Sequence, residues 1–132
     1  MKKTLEDDNY CFVCGEKNPY GLHIMFSARE GKVLSEFIPQ KAYQGYKDIV
    51  HGGIISTLLD EAMVKAALMQ GIPAVTAEIT VRFRNPLLIW EQAFIEAIIL
   101  KINKNIIETS AIIKKLDNTL IAEGYAKLIR QN

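Results

Sequence analysis

Cysteine is scarce in this 132-residue chain: there are two, Cys11 and Cys14. A disulfide-built scaffold is therefore excluded, and the core must come from apolar burial. Charge of one sign is missing as well, with 16 lysines and arginines against 15 acidic residues. A general nucleic-acid binder needs a strong basic excess, so no nucleic-acid partner is expected. Long hydrophobic runs are also lacking. The longest, Gly53 to Met69, is interrupted by Asp60, Glu61 and Lys65 and is too polar to span a bilayer. Met1 to Asn9 is charged and has no apolar stretch, so it does not read as a secretory signal. The sequence-level expectation is a cytoplasmic protein without a membrane partner. No G-x-S-x-G elbow, Walker-type loop or Rossmann glycine pattern occurs.

What is present is apolar residue in quantity, 49% of the chain, enough for a core without metal or disulfide staples. No repeat, low-complexity tract or linker divides it, so residues 1–132 read as one domain, with 1–21 a segment that precedes the core. That segment holds Cys11-Phe12-Val13-Cys14. In a reducing compartment such a pair is reduced or half of a metal site rather than a structural disulfide. His23 could be a third zinc ligand, but two cysteines and one histidine do not complete a tetrahedral site, and a metal would need a ligand from a second subunit. The plainer reading is a tight turn at Gly15 with packed thiols, and no metal or cofactor is expected.

Leu22 to Ala28 and Lys32 to Ile38 are strand-like runs joined by Glu30-Gly31, a hairpin signal. Gln40 to Asp48 reads as a loop. Gly53 to Gln70 is the one convincing helix, with Gly71 as a stop and Pro73 beyond it. Val75, Ala77, Ile79, Val81 and Phe83 alternate with polar residues, a period of two that predicts one buried face. Glu91 to Lys101, Ile106 to Lys115 and Leu120 to Ile129 follow as strands, with turns at Asn103-Lys104-Asn105 and Asp117-Asn118 too short for parallel crossovers. Apolar residues cover more than half the helix, so a sheet must wrap around it. The expected fold is α+β: one long central helix inside a curved antiparallel sheet of five or six strands.

The chemistry concentrates at His51-Gly52-Gly53 and at Asp60. The glycines stand where loop becomes helix. There the first amides lack internal partners and the helix dipole adds positive charge, which suits a developing oxyanion. The plainer reading of the two glycines is a sharp turn. Asp60 is an acid on a mostly apolar helix, with Met63 and Val64 at i+3 and i+4 and therefore no cation beside it. It is either a catalytic carboxylate or an acid bonded to Ser56 or Thr57. Glu61 differs, because Lys65 lies four residues on, and reads as a solvated or edge ion pair. His51 could cap the helix, hold the loop or donate to a leaving group.

Val50 to Asp60, V-H-G-G-x-x-x-x-L-x-D, resembles the signature of the hotdog-fold thioesterases of the PaaI-like and THEM type. Cys11 to Gly15, Asn18 to Leu22, Val75 to Val81, Phe83 to Pro86 and Leu120 to Ala126 are similar to other segments of that family, in the same order. The resemblance implies a hotdog domain whose site forms between two subunits, as a homodimer or homotetramer. It implies Asp60 as general base or nucleophile on an acyl-CoA or acyl-carrier thioester, with a Gly52 or Gly53 amide polarising the carbonyl. It further implies Thr76 as a water-positioning hydroxyl and His51 as support for the loop or leaving group. Many members carry Asn or Gln about six residues before the histidine; here that position is Gly45, with Gln44 beside it. The loop Gln40 to Val50 and the helix face near Met63 would shape the acyl pocket. Arg82 and Arg84, two residues apart on one strand face, could reach the phosphates of CoA; their plainer reading is solvated charge.

The chemistry is self-consistent. Thioester hydrolysis needs an activated water and donors for the oxyanion, while the thiolate leaves without a strong acid. The competing readings are a non-hydrolytic acyl-CoA-binding module, a hotdog dehydratase or hydratase, whose motifs are lacking, and a zinc or redox protein built on the cysteine pair.

Overall fold

The computed structural model describes residues 4–131. In chain order the elements are β1 (Ser27–Arg29), β2 (Lys32–Phe37), a 3-10 turn (Lys41–Tyr43), α1 (Gly52–Leu68), β3 (Ala74–Phe83), β4 (Ala93–Asn103), β5 (Ile106–Lys115) and β6 (Leu120–Arg130). The strands form one six-stranded sheet in the order β1-β2-β4-β5-β6-β3, and every pairing is antiparallel. This is the expected hotdog architecture, with α1 packed against β2 through β6. The core lies between helix and sheet: Leu58, Leu59 and Met63 of α1 meet Ile95, Ile107, Ile113, Ile121 and Leu128, all fully buried.

The helix ends as its sequence dictates. Gly71 has φ +80°, the Ile72 N–H donates to the Ala67 carbonyl and the Gly71 N–H to that of Leu68. These two bonds make a Schellman motif, and the buried Ile72 supplies its usual apolar contact. The first strand is shorter than expected. Leu22 to Phe26 lies outside it, because Leu22 and Ile24 bond back to the carbonyls of Phe12 and Val13 rather than to β2.

The largest departure is β3. Its alternation predicts a buried face, yet Val75, Ile79 and Phe83 are 41%, 37% and 58% exposed. The reason is topological, since β3 is an edge strand paired only with β6. Its register against β6 also shifts between Thr76 and Glu78. A bulge of one extra residue reverses side-chain parity. Thr76 therefore faces the helix although it is out of phase in sequence with Val81, which packs on the core, and with Phe83, whose ring lies beside Gly52.

Candidate active site

Asp60 sits midway along α1 and is half-buried. Its Oδ1 accepts a 2.6 Å hydrogen bond from Thr76 Oγ1. This replaces the expected local partners: Thr57 Oγ1 instead donates to the Gly53 carbonyl at 2.8 Å. The β3 bulge is what delivers Thr76, 16 residues away in sequence, to the carboxylate. The second carboxylate oxygen has no hydrogen-bond partner among the described residues. A carboxylate held by one oxygen and open at the other can take a proton from water.

At the helix start His51 is the N-cap, with its Nδ1 accepting the Gly53 N–H at 2.8 Å. The imidazole is therefore unprotonated at Nδ1. A Cβ on Gly53 would stand 3.0 Å from that nitrogen, so the capping contact is what the second glycine permits. The capping bond narrows the choice between the two glycine amides: that of Gly53 is occupied. The Gly52 N–H has no partner among the described residues and is the amide available to an oxyanion.

Two openings share Ile49, Val50 and Gly52. One, about 260 Å³, is bounded by Phe83, Arg84, Asn85 and Pro86. The other, about 400 Å³, is bounded by Gly45, Tyr46 and His51. Gly45 thus leaves space where the resemblance would place a larger polar side chain. Gln44 does not fill it, since its Oε1 accepts the Asp48 N–H at 3.0 Å and holds the loop. Met63 is fully buried against Gly124 of β6 and serves the core. Arg84 lies just past β3 and pairs with Glu123 at 3.3 Å, while Arg82 stands opposite Glu123 in the ladder. The wall that sequence reasoning missed is Phe83, which its alternation assigned to the core; Tyr46 belongs to the Gln40 to Val50 loop that was expected to shape the pocket.

Residues 47–122, from the loop before His51 into β6, match the family model for the thioesterase superfamily. The chain belongs to the thioesterase superfamily. This thioesterase-superfamily domain is 30% identical over 103 residues to human acyl-coenzyme A thioesterase 13, covering 76% of this chain and 74% of that protein. Among solved structures it resembles mouse thioesterase superfamily member 2, with TM-score 0.75, 26% identity and 84% of each chain covered. The fold is shared too with a hypothetical thioesterase protein of Streptococcus pneumoniae TIGR4 solved with coenzyme A. There the TM-score is 0.78 at 14% identity, over 83% of this chain and 86% of that one. The matched span includes His51, Gly52, Asp60 and Thr76.

Proposed function

We propose that the domain hydrolyses acyl-CoA thioesters, with Asp60 as general base and the Gly52 amide as oxyanion donor. The observation that carries this reading is the Asp60–Thr76 bond, which fixes a carboxylate with one free oxygen on the helix of a thioesterase-superfamily chain. The names of its relatives, an acyl-coenzyme A thioesterase and a thioesterase protein solved with coenzyme A, support the substrate class.

The two catalytic elements do not act together within one chain. Gly52 and Asp60 are eight residues apart on one helix, about 12 Å along its axis, too far for one thioester carbonyl to touch both. A second copy supplies the missing half. Its route is β3, a ten-residue edge strand with exposed Val75 and Ile79, which pairs with its counterpart across a two-fold axis. Each active site then combines Gly52 of one protomer with Asp60 of its partner. Arg84, which borders the cavity beside Gly52, serves the phosphates of CoA. The free thiols of Cys11 and Cys14 suit a reducing, cytoplasmic setting. Among the described residues no helix is long and apolar enough to cross a membrane.

The test is steady-state hydrolysis of a panel of short, long, branched and aromatic acyl-CoAs, with thiol release as readout. At least one should turn over, and Asp60→Asn should lower kcat by roughly two to four decades in a folded protein. Full activity in Asp60→Asn would remove the base assignment. Binding of acyl-CoA without turnover by the wild type would favour a non-hydrolytic module.

A further inference from the structure

The N-terminal segment carries a cluster the hydrolytic site does not use. Cys11, Cys14 and Glu61 bring their sulfur and carboxylate oxygen atoms within 4.8 Å of one another, and all three residues are half-buried. Glu61 comes from the middle of α1, fifty residues from Cys11 in sequence. His23, weighed in the sequence as a possible third ligand, is engaged elsewhere: its Nε2 lies 2.7 Å from the Asn18 carbonyl.

We infer that Cys11, Cys14 and Glu61 form a zinc site that clips the N-terminal segment onto α1. The donors are two thiols that become thiolates and one carboxylate, a set that suits zinc. Their spacing suits it as well. Zinc–sulfur and zinc–oxygen bonds of about 2.3 and 2.1 Å at a tetrahedral angle place sulfur and oxygen about 3.6 Å apart. Cys11 Sγ and Glu61 Oε2 are 3.7 Å apart.

The loop is shaped around the sulfur. The Val13 N–H points at Cys11 Sγ at 3.3 Å. The Gly15 N–H closes the turn on the Cys11 carbonyl at 2.9 Å. A Cβ at Gly15 would fall 2.3 Å from the Cys11 nitrogen, so only glycine fits this turn. Lys65 stands outside the ligands, its Nζ 3.8 Å from Glu61 Oε2, and is largely covered. It orients the ligating carboxylate and balances charge: two thiolates and a carboxylate against zinc and one ammonium. Water takes the fourth position. Without metal, burial pushes the Cys14 thiol up to about 12, and the neighbouring Cys11 and Glu61 add to this.

The experiment uses the full chain purified without metal and then incubated with Zn²⁺ or Co²⁺. One zinc per chain should survive desalting, and Co²⁺ should give the sulfur-to-cobalt charge-transfer band of thiolate ligation. The double variant Cys11→Ser, Cys14→Ser should lose both, and Glu61→Gln should weaken zinc retention at least tenfold. Zinc should raise the Tm of the wild type and leave that of the double variant unchanged. The cobalt spectrum of the unaltered chain keeps the test valid if a variant fails to fold. Three outcomes overturn the site: no retained metal in the wild type, equal retention in Glu61→Gln, or a Cys11–Cys14 disulfide forming under mild oxidation in the presence of zinc.

Discussion

Thr76 holds the Asp60 carboxylate through one short bond, and that bond defines what each residue can be asked to do. Thr76→Ala should leave the fold intact and lower kcat roughly 10- to 100-fold, the scale of a hydrogen bond to a charged group. Thr76→Ser should restore most of the loss, because it keeps the hydroxyl. If alanine and serine behave alike in kcat and KM, the bond is only structural. His51 is testable without substrate. As the N-cap it satisfies the Gly53 amide, so His51→Ala should cost about 1 kcal/mol in urea denaturation while His51→Asn costs much less. Equal stability of wild type and His51→Ala would show that the cap contributes nothing. Glu61 illustrates how a residue changes meaning on folding. The ion pair with Lys65 read from the sequence forms, at 3.8 Å, but both side chains are mostly covered rather than solvated, and the Cys11 thiol joins them.

Among the elements, β3 does the most. Its bulge re-aims Thr76 at the helix, its outer edge is left without a strand partner in the sheet, and its end carries Phe83 and Arg84 to the cavity beside Gly52. Arg84 already shares its charge with Glu123, at an exposed site where such a pair is weak. It therefore remains available to a phosphate. Arg84→Ala should raise KM for acyl-CoA with little change in kcat, since the contact is remote from the scissile bond. The same acyl group on N-acetylcysteamine, which lacks the nucleotide, should be hydrolysed as by the wild type. Parallel losses on both substrates would place Arg84 in the fold or the chemistry instead.

At the scale of the whole molecule, a site divided between protomers predicts complementation. Asp60→Asn and Gly52→Pro should each be inactive as pure proteins, the second because proline fits the first helical position but lacks the N–H. Refolded together in equal amounts, half the dimers should be mixed, and each mixed dimer has one intact pair. Activity should therefore recover to about a quarter of the wild-type value. No recovery, with mixed dimers confirmed by mass spectrometry, would place Gly52 and Asp60 in separate roles or the site within one chain. Light scattering should meanwhile show a dimer or larger at micromolar concentration, and an active monomer would refute the shared site.

The sequence by itself determined the helix, the hairpins of β4 to β6 and the helix end at Gly71, because these depend on local periodicity and turn chemistry. It also marked His51, Gly52, Gly53 and Asp60, since a glycine pair at a helix start and an acid without a helical counter-ion are local facts. Tertiary structure decided the rest. It chose Thr76 over Ser56 and Thr57 as the partner of Asp60, because a one-residue bulge changes side-chain parity and no alternation count reveals where a bulge falls. It gave the Gly53 amide to His51 and left that of Gly52 open, a choice made by a side-chain rotamer. It made the apolar face of β3 an exposed edge, because strand order depends on pairings between distant segments. For the same reason Glu61, and not His23, came to stand beside the two cysteines: a ligand set is fixed by which surfaces pack together, and spacing along the chain records only the local part of that.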